Sequence, residues 1–527
     1  MNFARALFTV SSLTIISRVG GFIRDTLTAM ILGAGPVADA YFVAQRLPNL
    51  FRSLFAEGAF SAAFVPLFTT EQEKSGVEAA RQFAGQALAL LLSVLVPFSL
   101  LVMLAMPWVI RVIAPGFHDD GERFHLAVIF SVITFPYLAL ISVAALQGGV
   151  LNARGKFAAP AAAPAALNIV MISALVASLI FHLNAGYMLA GAFTFGGLVQ
   201  MTWLVVSCRR AGVSIPLVMP HLTEAGRKLF KRIGPGAIGA GAGQINLFLS
   251  NILASLLPIG AISHLFYADR VQQLPLGIVG VAVATTLLPL LSRHVQSRSE
   301  DRVRHYTNRA IEFCLMLGVP AAIGLAVAAR PIIETLFQHG AFTHADTRAT
   351  AAALAAYALG IPAFLLVKVF SSGFFARHDT KTPVKTAVAA MLTNAVCAIA
   401  LLGPLQQVGI ALANSIALWV NVTLLFALMR RAKHPVGDAT FRARMPRLLF
   451  CAVGMAAVTY SLVRFTHPWF AGHHLAREIG GLAVIIGVSG LAYGLFLQLT
   501  GAMRLGDVLA ILKRKGGVED VVHVQRP

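Results

Sequence analysis

The residues in this chain that could do chemistry are ionisable side chains standing inside long apolar stretches. Arg18, Arg24 and Asp25 interrupt the first stretch, and Asp39, Arg46, Arg52 and Glu57 the second. Asp269 and Arg270 lie together near the middle of the chain, and Lys368 stands in a later stretch. An ionised group at the centre of a membrane-spanning helix costs roughly 2.5–3.5 kcal/mol on insertion scales. These groups are therefore expected to face one another or a water-filled cavity rather than lipid. Arg18 and Asp25 are seven residues apart and share a helix face, with Arg24 turned about 100° away. Internal pairing, such as Arg24 with Asp25 or Arg270 with Asp269, would still leave the bases in excess. Arginine presents a planar fork of donors that suits phosphate and carboxylate. The chemistry implied is recognition of an anion in a cationic chamber, without covalent steps.

Other groupings carry less. Gly234-Pro235-Gly236-Ala237-Ile238-Gly239 has the GxGxxG pattern, but it opens an apolar span with no strand before it. Close helix packing or bending is the better reading of those glycines, and Gly20-Gly21 offers a second place for a bend. His339, His344 and Asp346 share a loop whose spacing matches no metal-ligand pattern. Cys208, Cys314, Cys397 and Cys451 are far apart, as small buried side chains would be. No phosphate-binding GxxxxGK[ST] loop, Asp-rich magnesium motif or Ser/His/Asp grouping is present. Neither a metal nor a cofactor is expected, and an enzyme is not; an intramembrane polyprenyl-phosphate transferase is the less favoured alternative.

The elements that must hold these charges follow from composition. Of 527 residues, 57% are apolar and 12% charged, and the mean hydropathy is +0.76. Soluble proteins run nearer ~25% charged, so a large cytosolic enzyme and a disordered chain are both excluded. A helix needs ~20 mostly apolar residues to cross a bilayer. Fourteen segments qualify: 7–33, 38–66, 84–110, 124–149, 158–181, 186–207, 230–257, 262–291, 309–329, 347–376, 383–402, 408–429, 446–465 and 478–500. With the N-terminus inside, the cytoplasmic segments hold 30 of the 42 Lys and Arg residues, the opposite segments six and the spans six. That asymmetry sets the orientation, with both termini cytoplasmic. It also accounts for the net charge of +20 through topology and anionic headgroups, without nucleic acid.

A duplication lies underneath. Pro66 and Pro289, Ala153-Arg154 and Ala376-Arg377, and Pro160 and Pro383 are each separated by 223 residues. The expected fold is all-α and polytopic. Two six-helix lobes, 1–208 and 230–430, would be related by a pseudo-two-fold along the membrane normal, with the site between them. Helices 13 and 14 (444–500) and a cytoplasmic tail (501–527) fall outside the repeat.

The first sixty residues then carry a specific resemblance, which extends over essentially the whole chain. Ser17-Arg18-Val19-Gly20-Gly21-Phe22-Ile23-Arg24-Asp25, Ala38-Asp39-Ala40-Tyr41-Phe42, Leu47-Pro48-Asn49-Leu50-Phe51-Arg52 and Phe55-Ala56-Glu57-Gly58-Ala59-Phe60-Ser61 resemble the MurJ (MviN) family. So do Tyr267-Ala268-Asp269-Arg270, Leu274-Pro275-Leu276-Gly277 and Ala376-Arg377-His378-Asp379-Thr380-Lys381-Thr382-Pro383. The family comprises lipid II flippases of the bacterial inner membrane, within the multidrug/oligosaccharidyl-lipid/polysaccharide exporter superfamily. The resemblance implies that Arg18, Arg24, Arg52 and Arg270 line a central cavity and meet the substrate's pyrophosphate. It implies that Asp25 orients Arg24, that Asp39 and Glu57 make gate or portal contacts, and that Asn49, Ser61, Asp269 and Lys368 support cavity or gate. Helices 13 and 14 would form a groove for the polyprenyl tail. The implied partners are lipid II and membrane lipids, with the chain a monomer. A flippase for another polyprenyl-diphosphate-linked oligosaccharide would use the same cavity. Gln273 departs from the family, which often has an acidic residue there, and a gate ion pair using it is in doubt.

Overall fold

The computed structural model describes residues 3–55, 59–118, 121–221, 227, 244, 246–432, 434, 436–470 and 474–502. The regular structure among them is helical throughout. Nine stretches among the described residues are long and apolar enough to cross a membrane. Large apolar side chains such as Leu104, Ile169, Leu392 and Leu499 point outward from them. An outward apolar surface on helices of this length is what a lipid environment selects.

The chain divides into two compact units, residues 1–263 with 339–343, and residues 264–338 with 344–527. The first begins with α1 (Phe3–Leu32) and α2 (Pro36–Phe55). Gly33 closes α1 with φ +62°, and a Cβ there would lie 2.5 Å from the carbonyl oxygen of Ala341. Ala341 N donates to Met30 O at 2.8 Å, so the left-handed residue that ends α1 also lets the 339–343 loop approach it. Then come α3 (Ala59–Leu104), two helices meeting at Gly76, and α4 (Met106–Ile113). α5 (Gly121–Thr134), α6 (Tyr137–Ala153), α7 (Ala158–Ile180) and α8 (Ala185–Arg210) complete its labelled helices. Its core is aromatic and aliphatic, with Phe64 stacked on Phe83 at 5.6 Å and Leu88, Val150 and Leu204 around them.

The second unit runs through α9 (Ala261–Gln296, whose first three residues belong to the first unit), α10 (Glu300–Val327), α11 (Ala329–Phe337) and α12 (His344–Ala358). It continues with α13 (Ile361–Phe375) and α14 (Lys381–Arg431), the latter joined across a break at Gln406. α15 (Ala439–Phe470) and α16 (Leu475–Leu499) end it. These last two pack on each other, with Thr459 Oγ1 donating to Ser489 Oγ at 2.8 Å, while Tyr493 hydroxyl donates to Met316 O on α10 at 2.8 Å.

Two segments that read as single spans are each broken near the middle. The 124–149 segment divides at Phe135-Pro136, and the 347–376 segment at Leu359-Gly360. Pro136 has no N–H to donate, and Pro362 sits in the first turn of α13, where a missing donor does no harm. Left-handed residues recur along the chain at closely matched intervals: Gly76 and Arg298, Gly155 and His378, His182 and Gln406, Gly212 and Gly437. Non-glycine residues with positive φ are uncommon, so His182 (φ 52°) and Gln406 (φ 50°) at corresponding turns make chance an unsatisfactory account.

Candidate functional site

In the first unit Arg24 of α1 is held from α7. Arg24 is 8% exposed, and its Nε and Nη2 both donate to Asp25 Oδ1, at 3.0 and 2.6 Å. Its Nη1 donates to Asn168 Oδ1 at 3.0 Å and lies 3.8 Å from Met171 Sδ. Asn168 Nδ2 donates in turn to Ser17 O at 2.8 Å. The local pairing of Arg24 with Asp25 is as the sequence suggests. Asn168 was not among the expected residues; its one signal is an amide inside an Ala-rich apolar segment. Gly20-Gly21 does not break α1, which is continuous from Phe3 to Leu32. Asn168 instead lies against that pair, 3.5 Å from where a Cβ would stand on either glycine.

Arg18 is exposed and lines a groove of about 360 Å³ with Thr14, Ser17, Asn152, Phe157, Pro160 and Pro164. On α2, Arg52 Nε donates to Asn49 Oδ1 at 3.2 Å, and Asn49 Nδ2 donates to Gln45 O at 3.0 Å. Asn49 thus directs Arg52 from one turn earlier. Arg46 Nη1 donates to Asn251 Oδ1 at 2.7 Å, and Asn251 Nδ2 to Ile113 O at 3.2 Å.

Asp39 is fully buried. It accepts from Gly260 N at 2.8 Å, Ser263 N at 2.9 Å and Ser263 Oγ at 2.6 Å. Arg123 Nη1 is 3.8 Å from its second oxygen. Two of those donors are orphan amides at the start of α9, so the carboxylate caps a helix as well as carrying charge. Arg123, which by sequence sits in an outer connection, is buried with its guanidinium 4.7 Å over the Phe117 ring. The neighbouring aromatics were its only sequence signal.

In the second unit, Arg270 is half-buried with its guanidinium 4.7 Å over the Phe266 ring. Gln273 Nε2 donates to Asp269 Oδ2 at 2.5 Å, so this amide serves as a donor one turn on. Lys368 is exposed, its ammonium 5.3 Å from the Phe364 ring centroid. Asp346 meets His264 Nε2 at 2.9 Å. Asp379, in the Ala376–Pro383 motif, accepts from Lys381 N, Thr382 N and Thr382 Oγ1, and opens α14. The Thr382 hydroxyl and N–H hold its carboxyl below the usual range. That motif is thus a helix start rather than a binding loop. Glu57, the side chain of Ser61 and the Gly234–Gly239 stretch lie outside the described residues. Among the described residues, no group of three or more His, Cys, Asp or Glu side chains could hold a metal ion.

The chain matches the family described as lipid II flippase MurJ over residues 28–480. It is 40% identical over 523 residues to a probable lipid II flippase MurJ of Rhizobium tropici, covering 98% of this chain and 97% of that protein. It is 34% identical over 438 residues to the lipid II flippase MurJ of Burkholderia cenocepacia, covering 82% and 84% of the two. A solved lipid II flippase MurJ in an inward closed conformation superposes with a TM-score of 0.78 at 26% identity, covering 93% of this chain and 98% of that one. An inward-facing multidrug resistance MATE family transporter of the MOP superfamily, at 14% identity and a TM-score of 0.69, shares the fold. It covers 81% of this chain and 98% of its own.

Proposed function

This chain belongs to the lipid II flippase MurJ family, and from that premise we propose that it carries lipid II from the cytoplasmic to the periplasmic leaflet of the bacterial inner membrane by alternating access. It is a transporter and not an enzyme. The observation that carries the reading is likeness to a probable lipid II flippase over 98% of the chain, a span that includes the charged residues of α1 and α2.

The chemistry agrees. Lipid II has a pyrophosphate of about −2, a large polar head and a long apolar tail. The head requires a wet cationic chamber opened to one side at a time, and the tail can remain in lipid. In our reading Arg18, Arg24, Arg52 and Arg270 meet the pyrophosphate in a cationic central cavity. Asp25 and Asn49 aim Arg24 and Arg52. Asp39, Asp269 and Lys368 belong to the machinery that opens and closes it, together with Glu57 and Ser61. We read fourteen helices, as two six-helix lobes, 1–208 and 230–430, and a final pair, 444–500, that guides the polyprenyl tail. The recurrence of left-handed turns at matched intervals supports two lobes built alike. Both termini are cytoplasmic in this reading, and the chain acts as a monomer.

The test is replacement. Cells depleted of their own lipid II flippase should regain growth and lipid II translocation when they express this chain. Growth without translocation of lipid II, or neither despite normal membrane insertion, would overturn the substrate assignment. Recovery of export for a different polyprenyl-diphosphate-linked glycan would identify the sibling function in its place.

A further inference from the structure

Arg24 is held by three side chains, and two of them, Asn168 and Met171, come from α7. Asp25 is its chain neighbour and moves with it. Asn168 is on α7, 144 residues away, and uses both ends of its amide on α1. The oxygen accepts from Arg24 Nη1 at 3.0 Å, and the nitrogen donates to Ser17 O at 2.8 Å. Ser17 and Arg24 are about two turns apart on α1, so one amide spans the Gly20-Gly21 surface and pins the helix at two levels. The side chain is 6% exposed. A buried amide with both ends satisfied fixes the rotation of the helix it grips. An aliphatic residue of similar volume would fill the space but leave Nη1 of a buried guanidinium without its acceptor.

We propose that Asn168 is a positioning residue of the flippase: it sets the azimuth of α1 and the direction of the Arg24 fork. The proposal rests on the reading of Arg24 as a pyrophosphate ligand. The amide is neutral, and that matters. It orients the guanidinium without cancelling its charge, which Asp25 already offsets. A carboxylate in the same place would hold the arginine equally well and leave it a net anionic surrounding, poor for phosphate.

Two measurements test this. The first is flipping of lipid II in vesicles by purified variants. Asn168→Ala should fall by roughly tenfold, the size of one hydrogen bond to a charged group, and Asn168→Asp by more. Asp25→Asn should also be impaired. The double variant Asp25→Asn with Asn168→Asp moves the carboxylate from one side of the fork to the other, and should recover at least part of the activity lost in Asp25→Asn. A residue acting only as filler would show no such rescue. The second is a double-mutant cycle on melting temperature with Arg24→Ala and Asn168→Ala. The paired loss should be smaller than the sum of the single losses, because both remove the same contact. This cycle needs no substrate. Coupling in the cycle with no lipid II flipping by the unaltered protein would sink the substrate reading and leave the contact standing. Additive melting losses, wild-type flipping by Asn168→Ala, or failure of the carboxylate swap would each overturn the proposal. Should Asn168→Ala not accumulate, Asn168→Leu, which fills the space but offers Nη1 no acceptor, carries the same cycle.

Discussion

Every nitrogen of the Arg24 guanidinium has a protein partner. Of its five N–H groups four are engaged, one of them by Met171 Sδ, so a phosphate held by two bonds must displace at least one of these partners, and the site's affinity is then a difference between two sets of bonds. Breaking a buried ion pair by removing one member costs on the order of 3 kcal/mol, because the other charge is left uncompensated. We therefore expect Arg24→Ala to abolish complementation and to lower the melting temperature. Arg24→Lys should also fail, since an ammonium cannot serve Asp25 and Asn168 in the fork geometry. Full growth by Arg24→Lys would show that charge alone suffices. Asp39 differs in kind. Its oxygens bind backbone N–H groups of Gly260 and Ser263, and Asp39→Asn keeps the shape but turns one acceptor into a donor facing a donor. A loss of about 1.5–3 kcal/mol is expected, read as reduced thermal stability in detergent. The sequence made Arg24, Asp25 and Asp39 conspicuous because charge in an apolar span demands a reason. It could not single out Asn168, because a neutral amide in an apolar helix is unremarkable until its neighbour is known. Arg46 stood out by its charge, but its partner did not: its Nη1 donates to Asn251 Oδ1 at 2.7 Å.

α15 is fastened to α10 by polar contacts at one end and apolar ones along its length. Glu312 accepts from Arg309 and Arg444, Arg309 also donates to Asp438 at 2.9 Å, and Arg304 Nη2 donates to Gly437 O at 2.9 Å. Asp438 accepts from Phe441 N at 2.7 Å, at the start of α15. Burial works to raise the Asp438 pKa, but the Phe441 N–H and the Arg309 charge outweigh it and hold the carboxyl below its ordinary 3.8. A carboxylate whose folded pKa is below its unfolded one contributes stability that is complete above the unfolded value and is lost as pH falls through the lowered one. The fastening should thus be indifferent between pH 7 and 5 and should weaken below about pH 4. Melting temperature measured across that range should show a fall that Asp438→Asn reduces; an unchanged fall would remove Asp438 from the clamp. Deletion from Arg444 onward should leave a protein that inserts but no longer flips lipid II. Robust flipping by a well-expressed truncation would remove the tail-guiding role of α15 and α16.

Over the whole molecule, the net charge of +20 and the potential across the membrane bear on one cycle. Moving one charge through 100 mV is worth ~2.3 kcal/mol. In the function proposed above, a substrate of about −2 bound by a cationic cavity would make a nearly neutral loaded carrier. An inside-negative potential would then draw the empty, cationic carrier back, and the cycle we propose needs no co-transported ion. The Asn251 amide oxygen accepts from the cationic Arg46 at 2.7 Å, which makes it a poor ligand for a sodium ion. We expect flipping to persist when sodium is replaced by choline at constant potential. Loss of activity under that exchange, reversed by sodium, would refute a cycle reset by potential alone.

The sequence by itself determined the class of molecule, an all-α polytopic membrane protein, because lipid imposes length and apolarity on every span and those are local properties. It also marked the charged residues, because an ionised group in hydrocarbon is costly wherever it stands. The tertiary structure decided what each charge touches. Asp39 became the cap of Gly260 and Ser263, Arg123 moved from an outer connection to a buried place beside Asp39, and Asn168 joined Arg24 from 144 residues away. It also decided that two apparent single spans are broken at Phe135-Pro136 and Leu359-Gly360. Those outcomes depend on which helix faces meet, and hydropathy along one helix carries no record of its neighbour.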